Sequence, residues 1–244
     1  MLYLGDCLEV LPTIKYKVDL AYADVPYNTG HAQVSTRDKG LSYEDSFEDL
    51  PTYLKPRIEL VYDLLGNSGA LLLHLDYREV HYVKVMLDGI FGRSNFRNEI
   101  IWAYDYGGRP KNKWPCKHDN ILWYTKSNNY TFNYEEIDRI PYMSPLLVGP
   151  EKTKAMKTMT DVHWHTIVPT QGKERTGYPT QKPVGLLKNL VRVHSNPEDM
   201  LLDPFCGASS FGAAALELGR EYIGIDINHQ AIEISTERLN RFSK

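Results

Sequence analysis

The last quarter of the chain alternates strand and helix patterns in a way that restricts it to few folds. Residues 200–202 and 222–225 are short apolar runs that predict strands, and the Ala-rich stretch 210–218 between them predicts a helix. Another helix is predicted over 229–240. A strand–helix–strand unit places its two strands parallel, in a sheet covered by helices. Two strands alone would be unstable, so the other strands must come from earlier in the chain.

The N-terminal half supplies the strands that this sheet needs. Two apolar runs, 18–23 and 70–75, end on the acids Asp24 and Asp76, and both predict buried strands. Further patterns predict strands at 99–103 and 120–125 and helices at 54–65, 77–90 and 183–194. We therefore expect an α/β fold with a doubly wound, mostly parallel, Rossmann-like sheet, assembled from both ends of the chain.

The stretch 105–178 differs from its flanks, because it is irregular, polar and aromatic, with Gly, Pro, Lys and Asn throughout. A chain of 244 residues has room for one large domain with an insert. We predict one domain formed by 1–104 and 179–244, with 105–178 as the insert. Residues 105–182 hold 12 Lys and Arg against 8 Asp and Glu, a net +4, whereas the whole chain carries −3, so the remainder carries −7.

The densest basic patch lies in this insert and has the residue types of a surface for nucleic acid. No acid occurs in residues 109–118. The basic and aromatic residues of the patch are Arg109, Lys111, Lys113, Trp114 and Lys117. Cations interleaved with aromatic rings suit phosphates and bases. Charge alone leaves a solvated loop open as the alternative.

Composition disfavours several classes of protein. The content of 42% hydrophobic and 24% charged residues is typical of a soluble globular domain. We find neither a basic leader followed by a long apolar stretch nor a run of about 18 apolar residues, so we expect neither secretion nor a membrane span. The three cysteines are far apart and the histidines lack zinc spacing. This pattern predicts reduced thiols in the cytoplasm and no metal site.

The turn 203–207, Asp-Pro-Phe-Cys-Gly, joins the predicted strand 200–202 to its helix. Small residues in such a turn let a ligand approach the backbone, and the helix N-terminus offers free N–H groups. Asp226 ends the next strand, where an acid can accept hydrogen bonds from ribose hydroxyls. The pattern predicts a nucleoside site. Because the dinucleotide motif Gly-x-Gly-x-x-Gly is absent, a nucleotide-binding oxidoreductase is the weaker alternative.

The turn 24–27, Asp-Val-Pro-Tyr, suits chemistry on an amino group. The exocyclic amine of a base is a poor nucleophile because its lone pair is delocalised into the ring. Two acceptors that grip the amine hydrogens free that lone pair, and Asp24 and the carbonyl of Val25 can be those acceptors. Pro26 keeps Val25 out of the helical region and so fixes the direction of the carbonyl. Tyr27 offers a ring on which a flipped base can stack.

Together these motifs resemble those of the DNA N6-adenine and N4-cytosine methyltransferases. Residues 24–27 resemble the family's catalytic Asp-Pro-Pro-Tyr, 203–207 resemble its cofactor motif, and 224–227 resemble the strand that follows. Residues 5–8 and 178–183 are also similar to that family. The catalytic motif precedes the cofactor motif, with a variable region between them, which is similar to the circularly permuted β subgroup.

The resemblance implies a site-specific methyltransferase that acts on double-stranded DNA, uses S-adenosylmethionine, needs no metal and recognises its target through the insert. It implies that Asp24, Val25, Pro26 and Tyr27 form the catalytic motif. It implies a cofactor pocket lined by Asp6, Cys7, Lys182, Asp203, Phe205, Gly207 and Asp226. Within that pocket, Phe205 is expected at the methionine end, Asp226 on the ribose, and Asp6 and Cys7 near the adenine. A homodimer and a cognate restriction endonuclease are left open.

Two positions depart from the family pattern. Val25 replaces the first proline of the catalytic motif; since a backbone carbonyl acts there, we expect reduced rigidity rather than lost chemistry. Ala208 and Ser209 replace the usual Ser-Gly, and the Cβ of Ser209 is expected to weaken cofactor binding. A catalytically impaired homologue that binds DNA or cofactor is therefore an alternative. Asp24 favours adenine N6 as the target, while cytosine N4 and an RNA substrate stay open.

Overall fold

The computed structural model describes residues 1–35, 42–169 and 171–242. Its strands are β1 (Leu2–Leu4), β2 (Val18–Asp24), β3 (Gln33–Val34), β4 (Ser42–Tyr43), β5 (Leu65–Leu75), β6 (Phe96–Ala103), β7 (His118–Thr125), β8 (Arg139–Ile140), β9 (Lys157–Thr158), β10 (Val162–Trp164), β11 (Met200–Asp203) and β12 (Glu221–Asp226). Eight of them form one sheet in the order β1-β12-β11-β2-β5-β7-β6-β10. Neighbours are parallel except around β7, which pairs antiparallel with β5 and β6. The predicted mostly parallel sheet is thus confirmed.

Helices cover both faces of the sheet. They are α1 (Cys7–Val10), α2 (Leu50–Leu64), α3 (Val80–Phe91), α4 (Pro150–Ala155), α5 (Val184–His194), α6 (Ser210–Glu217) and α7 (His229–Leu239). None of the helices in the described ranges is long and apolar enough to cross a membrane. Strand β2 shows how the two cores arise: Ala21 and Ala23 pack with α1 to α3, whereas Leu20 and Tyr22 pack with α5 to α7. This alternation follows from the pleat of a strand buried on both faces.

Helix α2 begins earlier than the apolar spacing predicts. The spacing predicts a start at residue 54, whereas the helix starts at Leu50, because Asp49 caps its N-terminus. The Asp49 carboxylate accepts hydrogen bonds from the backbone N–H and the hydroxyl of Thr52. The predicted stop signal at Gly66 and Asn67 is also displaced, since both residues lie inside β5. Pairing with β2 therefore extends β5 to the N-terminal side of the predicted strand.

Two segments of the predicted insert belong to the central sheet. Strand β7 lies between β5 and β6, and β10 forms the edge beside β6. The parts of 105–178 that leave the sheet are therefore shorter than the predicted insert. The first of them, 105–117, belongs to the loop 104–117 that joins β6 to β7. That this region forms a target-recognition unit stays a prediction.

The order of the chain through the sheet reverses at β11. Strands β12 and β1 lie on one side of it, and β2 and β5 lie on the other. Asp203, Asp226 and Asp24 end β11, β12 and β2, so these three acids meet at one carboxyl edge. In an open α/β sheet, ligands bind in the crevice at such a switch point. The fold therefore brings the two predicted motifs together.

Candidate active site

A cavity of about 450 Å³ opens at this carboxyl edge. The predicted site residues that line it are Asp6, Asp24, Val25, Pro26, Tyr27, Lys182, Asp203, Phe205, Gly207 and Asp226. The two motifs, about 180 positions apart in the sequence, thus face one space. Cys7 was expected in this group but does not line the cavity.

The backbone at Val25 continues the pairing of β2. Its N–H donates to the carbonyl oxygen of His74 at 3.3 Å, and its side chain packs in the core on the side of α1 to α3. A proline at this position would lack that N–H. Val25 therefore lacks the rigid ring of the family's proline, but its N–H forms a hydrogen bond that also fixes the turn. No donor among the described residues reaches the Val25 carbonyl oxygen.

The Asp24 carboxylate is held by two side chains. Its Oδ2 accepts from Lys182 Nζ at 2.8 Å, and its Oδ1 accepts from the Tyr27 hydroxyl at 3.1 Å. The Lys182 ammonium also lies 5.0 Å from the centre of the Tyr27 ring. Lys182, predicted as a cofactor residue, therefore contacts the catalytic motif directly.

The Tyr27 hydroxyl reaches a second acid that the sequence analysis did not single out. It lies 3.3 Å from Oδ2 of Asp119, at the start of β7. Burial, with the carboxylates of Asp119 and Asp24, raises the pKa of Tyr27 well above its ordinary value, so the hydroxyl stays protonated. The signal in the sequence was an acid beside the apolar run 121–124, which the strand prediction passed over.

Backbone N–H groups hold the acid at the other end of the cavity. Asp226 Oδ2 accepts from Gly207 N–H and Oδ1 accepts from Asn228 N–H, both at 2.8 Å. Burial raises the pKa of Asp226, although these two hydrogen bonds oppose the shift. A carboxylate oxygen has a further acceptor site, so Asp226 keeps capacity for ligand hydroxyls.

The turn after β11 is shaped by Asp203 and needs a glycine at its end. Asp203 Oδ1 accepts from Phe205 N–H at 3.2 Å. Burial, helped by Asp24 and Asp226, raises the pKa of Asp203 well above its ordinary value. Gly207 has φ +49°, and a Cβ there would lie 2.8 Å from the Tyr178 ring. Tyr178 therefore packs directly on this backbone.

Aromatic rings form a wall that the motifs did not predict. Tyr178 stacks on Tyr43, with ring centres 6.4 Å apart and planes 9° apart, and both rings line the cavity. Tyr43 lies on β4, which pairs antiparallel with β3. Phe205, which was predicted, also lines the cavity. Flat apolar walls with a few polar groups are typical of sites for small molecules that contain rings.

The sequence profile of the DNA methylase family matches residues 18–237. The chain belongs to this family.

Relatives of this DNA methylase cover most of its length. The type II methyltransferase M.HpaI of Haemophilus parainfluenzae is 30% identical over 227 residues, 91% of this chain and 68% of that protein. The DNA adenine methyltransferase YhdJ of Escherichia coli strain K12 is 28% identical, over 97% of this chain and 81% of that protein.

Solved structures share the fold. The M1.HpyAVI–SAM complex has a TM-score of 0.69 at 23% identity and covers 98% of both chains. The cytosine-N4-specific PvuII DNA methyltransferase has a TM-score of 0.73 at 14% identity, covering 99% of this chain and 89% of the other. At these identities the likeness concerns architecture, which agrees with the predicted methyltransferase fold.

In this DNA methylase, Ser209 does not obstruct the cavity as the sequence predicts. Its backbone is left-handed with φ +47°, and the residue is fully buried. Its Oγ accepts from the Tyr222 hydroxyl at 3.2 Å. Ala208 and Ser210 line the cavity, whereas Ser209 does not. The expected steric conflict with a cofactor is therefore not supported, because the side chain turns into the core.

Asp6 and Cys7 stand at the N-terminus of α1 but differ in what they face. Asp6 lines the cavity, accepts from Leu8 N–H at 2.9 Å and pairs with Arg57 at 2.9 Å. The Cys7 thiol lies in the core, and burial raises its pKa to about 12, so it is neutral. A thiol contact with a cofactor does not follow from this position, and the role of Cys7 stays a prediction.

The basic patch divides into two groups. Lys117 Nζ donates to the carbonyls of Gly107 and Gly108 at 2.8 and 3.1 Å, and Arg109 pairs with Asp105, an acid just outside the patch. These two cations hold the loop. Lys111 and Lys113 are exposed, and Trp114 is 92% exposed, so these three side chains are the ones available to a partner.

The loop that carries the patch is anchored at the end of the cavity that Asp24 and Tyr27 form. It leaves the sheet at Tyr104, whose hydroxyl donates to Asp119 Oδ1 at 2.9 Å. It returns beside Asp119, and Tyr104 N–H bonds the carbonyl of Lys117 at 3.0 Å. Asp119 is also the acid that contacts Tyr27. The exposed cations therefore project from the same edge of the sheet as the catalytic motif.

Proposed function

We propose that this DNA methylase transfers a methyl group from S-adenosylmethionine to the exocyclic amine of a flipped base in double-stranded DNA, at N6 of adenine. One observation carries the proposal. The acceptors at Asp24 and Val25 share a single cavity with the nucleoside-type site at Gly207 and Asp226. Either turn alone is common in α/β proteins, but their shared space lets an amine meet a methyl donor.

S-adenosylmethionine fits the half of the cavity formed by β11 and β12. The whole cavity, which also includes the half at the end of β2, has a volume of about 450 Å³, within the range of sites for small molecules, about 300–1,000 Å³. Asp226 would hold the ribose hydroxyls, the turn at Gly207 would face the cofactor, and Phe205 would pack against it. The bound cofactor supplies a methyl group activated by its sulfonium. Within the described residues, no group of three or more His, Cys, Asp or Glu could hold a metal ion.

The half of the cavity at the end of β2 suits the amine. The Asp24 carboxylate and the Val25 carbonyl, which no donor of the described residues reaches, each accept one hydrogen of the target amine, which localises the nitrogen lone pair. Tyr27 presents its ring for stacking of a base that has left the duplex. The Lys182 ammonium, whose Nζ lies 2.8 Å from Asp24 Oδ2, keeps this carboxylate oriented toward the cavity. Lys111, Lys113 and Trp114 would contact the duplex beside this opening.

Adenine is the favoured base for two reasons. An acid at the first motif position favours adenine, where serine would favour cytosine. YhdJ, a DNA adenine methyltransferase by name, aligns with 97% of this chain. Cytosine N4 is the second candidate, because the cytosine-N4-specific PvuII enzyme has the same architecture. A homodimer and a cognate restriction endonuclease stay predictions.

The test is to express the chain in cells that lack adenine and cytosine methylation of their own. Mass spectrometry of the nucleosides distinguishes N6-methyladenine from N4-methylcytosine, and sequencing that detects modified bases gives the recognised motif. N6-methyladenine in DNA supports the proposal. N4-methylcytosine, or methylation confined to RNA, would overturn the assignment of the base or the substrate. Binding of labelled cofactor with no transfer to any DNA would favour the impaired homologue.

A further inference from the structure

Asp119 is buried beside the catalytic tyrosine, outside both sequence motifs. It is 6% exposed, and its oxygens contact three groups. Oδ1 accepts from Tyr104, while Oδ2 lies 3.3 Å from both the Tyr27 hydroxyl and His74 Nε2. Burial favours the neutral acid, but the contacts with His74 and Tyr104 and the positive charge of Lys182 outweigh burial and hold the pKa of Asp119 below its ordinary value. The group is therefore an ionised acceptor.

His74 is oriented so that it supports this charge. Its Nδ1 lies 2.6 Å from the Tyr22 hydroxyl. Burial raises the pKa of Tyr22 well above its ordinary value, so the hydroxyl keeps its proton and can donate to Nδ1. Nε2 then carries the ring proton and faces Asp119. The contact of 3.3 Å lacks the alignment of a hydrogen bond, so it acts as an electrostatic contact.

The Tyr27 hydroxyl has one proton and two carboxylates within reach. It lies 3.1 Å from Asp24 Oδ1 and 3.3 Å from Asp119 Oδ2. Lys182 already donates to the other oxygen of Asp24. While Tyr27 donates to Asp24, both oxygens of the catalytic carboxylate therefore accept from the protein itself. Each oxygen keeps a further acceptor site, but a target amine that enters the cavity shares the Asp24 carboxylate with both donors.

We propose that Asp119 is a positioning residue that takes over the Tyr27 hydroxyl when the target amine binds Asp24. The exchange needs only a rotation of the O–H bond, because both acceptors lie near the same oxygen. It leaves Asp24 Oδ1 to the amine alone while the Tyr27 ring stays in place. The inference rests on the proposed function, since it concerns how that site accepts its substrate.

The test is a double-mutant cycle between Asp119 and Tyr27. Asp119→Asn keeps the size of the side chain and removes the charge that attracts the hydroxyl, so Tyr27 should stay on Asp24. We expect the rate of methyl transfer to fall by about 10- to 100-fold, the scale of a small misplacement at a reacting centre. Tyr27→Phe removes the competing hydroxyl. In the Tyr27→Phe background we expect Asp119→Asn to lower the rate of methyl transfer by less than about threefold, because the two residues act through one contact.

Binding supplies a readout that does not depend on transfer. Once sequencing has given the motif, two duplexes are compared without cofactor: one carries the target base, and the other carries the same base without its exocyclic amine. Wild type should prefer the duplex with the amine, Asp119→Asn should lose part of this preference, and Asp119→Asn with Tyr27→Phe should regain it. Tyr104→Phe is the control, because it removes another hydrogen bond of Asp119 and leaves the Tyr27 contact in place.

The outcomes separate this inference from the proposed function. If wild type transfers methyl groups and Asp119→Asn lowers the rate of transfer by the same factor in wild type and in Tyr27→Phe, the positioning role is wrong and the proposed function stands. If wild type transfers none, the proposed function is overturned and the inference with it. If Asp119→Asn fails to fold, the Tyr27→Phe variant alone tests the inference. A preference for the duplex with the amine that is at least equal to that of wild type supports the exchange. A weaker preference contradicts it.

Discussion

The two ends of the cavity are held by different kinds of hydrogen bond. At the end proposed for the cofactor, the cofactor end, Asp226 accepts from the backbone N–H groups of Gly207 and Asn228. At the end proposed for catalysis, the catalytic end, Asp24 is held by the side chains of Lys182 and Tyr27. Backbone donors are fixed by the fold, whereas a side-chain hydroxyl or ammonium can rotate to another acceptor. The cofactor end is therefore a rigid surface, and the catalytic end can exchange partners when a substrate enters.

The largest expected effect comes from a substitution at the catalytic end, where the hydrogen-bond partners can exchange. Asp24→Ala removes an acceptor of the target amine and should lower methyl transfer by more than about 100-fold. Cofactor affinity should change little, because the proposed cofactor site lies at the other end. Transfer of a labelled methyl group to bulk DNA measures the first quantity, and calorimetry measures the second.

A matched control lies on the same strand. Asp19 of β2 accepts from Met200 N–H at 2.9 Å, away from the carboxyl edge. Asp19→Ala should lower stability while the methyl transfer per folded molecule is retained. Transfer by Asp24→Ala above about a tenth of wild type would remove Asp24 from the catalytic role.

The next effect tests the rigid end. Asp226→Ala should weaken cofactor binding by roughly 1–3 kcal/mol, because it removes an acceptor for the ribose and leaves the N–H groups of Gly207 and Asn228 unpaired. Affinity for DNA should be retained. Calorimetry with the cofactor is the measurement, and Glu221→Ala, an exposed acid at the other end of β12, is the control. Unchanged cofactor affinity would show that Asp226 lies outside the site.

The exposed cations extend the catalytic end toward the duplex. Lys111→Ala combined with Lys113→Ala should weaken binding to all DNA sequences alike and leave the recognised motif unchanged. For each lysine that binds a phosphate, its removal should flatten the dependence of log affinity on log salt by about 0.9 units, because fewer counterions are released. Binding titrations at low and moderate salt measure this slope.

A second pair of lysines supplies the control for this experiment. Lys152→Ala with Lys154→Ala makes the same change of charge on α4, where both side chains are exposed. If that pair flattens the slope and the Lys111 and Lys113 pair does not, the DNA-binding face lies around α4. If neither pair matters, the loop 104–117 is a solvated loop and DNA binds elsewhere.

The difference between the two ends also explains what the sequence could predict. The donors and acceptors of the cofactor end lie within 203–228, so a local motif contains them. The partners of the catalytic end are distant: Lys182 is 158 positions from Asp24, and Asp119 is 92 positions from Tyr27. No spacing rule connects such residues. The fold brings them together: Lys182 lies just before α5, and Asp119 reaches the site through the antiparallel placement of β7, which the pattern of apolar runs does not specify.

The smallest expected effect concerns Ser209, where sequence and structure disagree about the rigid end. The family pattern predicts that Ser209→Gly improves cofactor binding by removing a Cβ. The structure instead turns the side chain toward Tyr222, away from the cavity, so we expect cofactor affinity to change by less than about twofold. Stability should change little as well, because glycine relieves the left-handed backbone while the buried hydrogen bond to Tyr222 disappears.

Ala208→Val is the matched control: Ala208 does line the cavity, so added methyl groups there should weaken cofactor binding. Calorimetry with the cofactor and thermal unfolding of both variants decide the matter. A gain in cofactor affinity of tenfold or more for Ser209→Gly would mean that this serine restricts the cofactor site and that the cofactor end does not fit its ligand well.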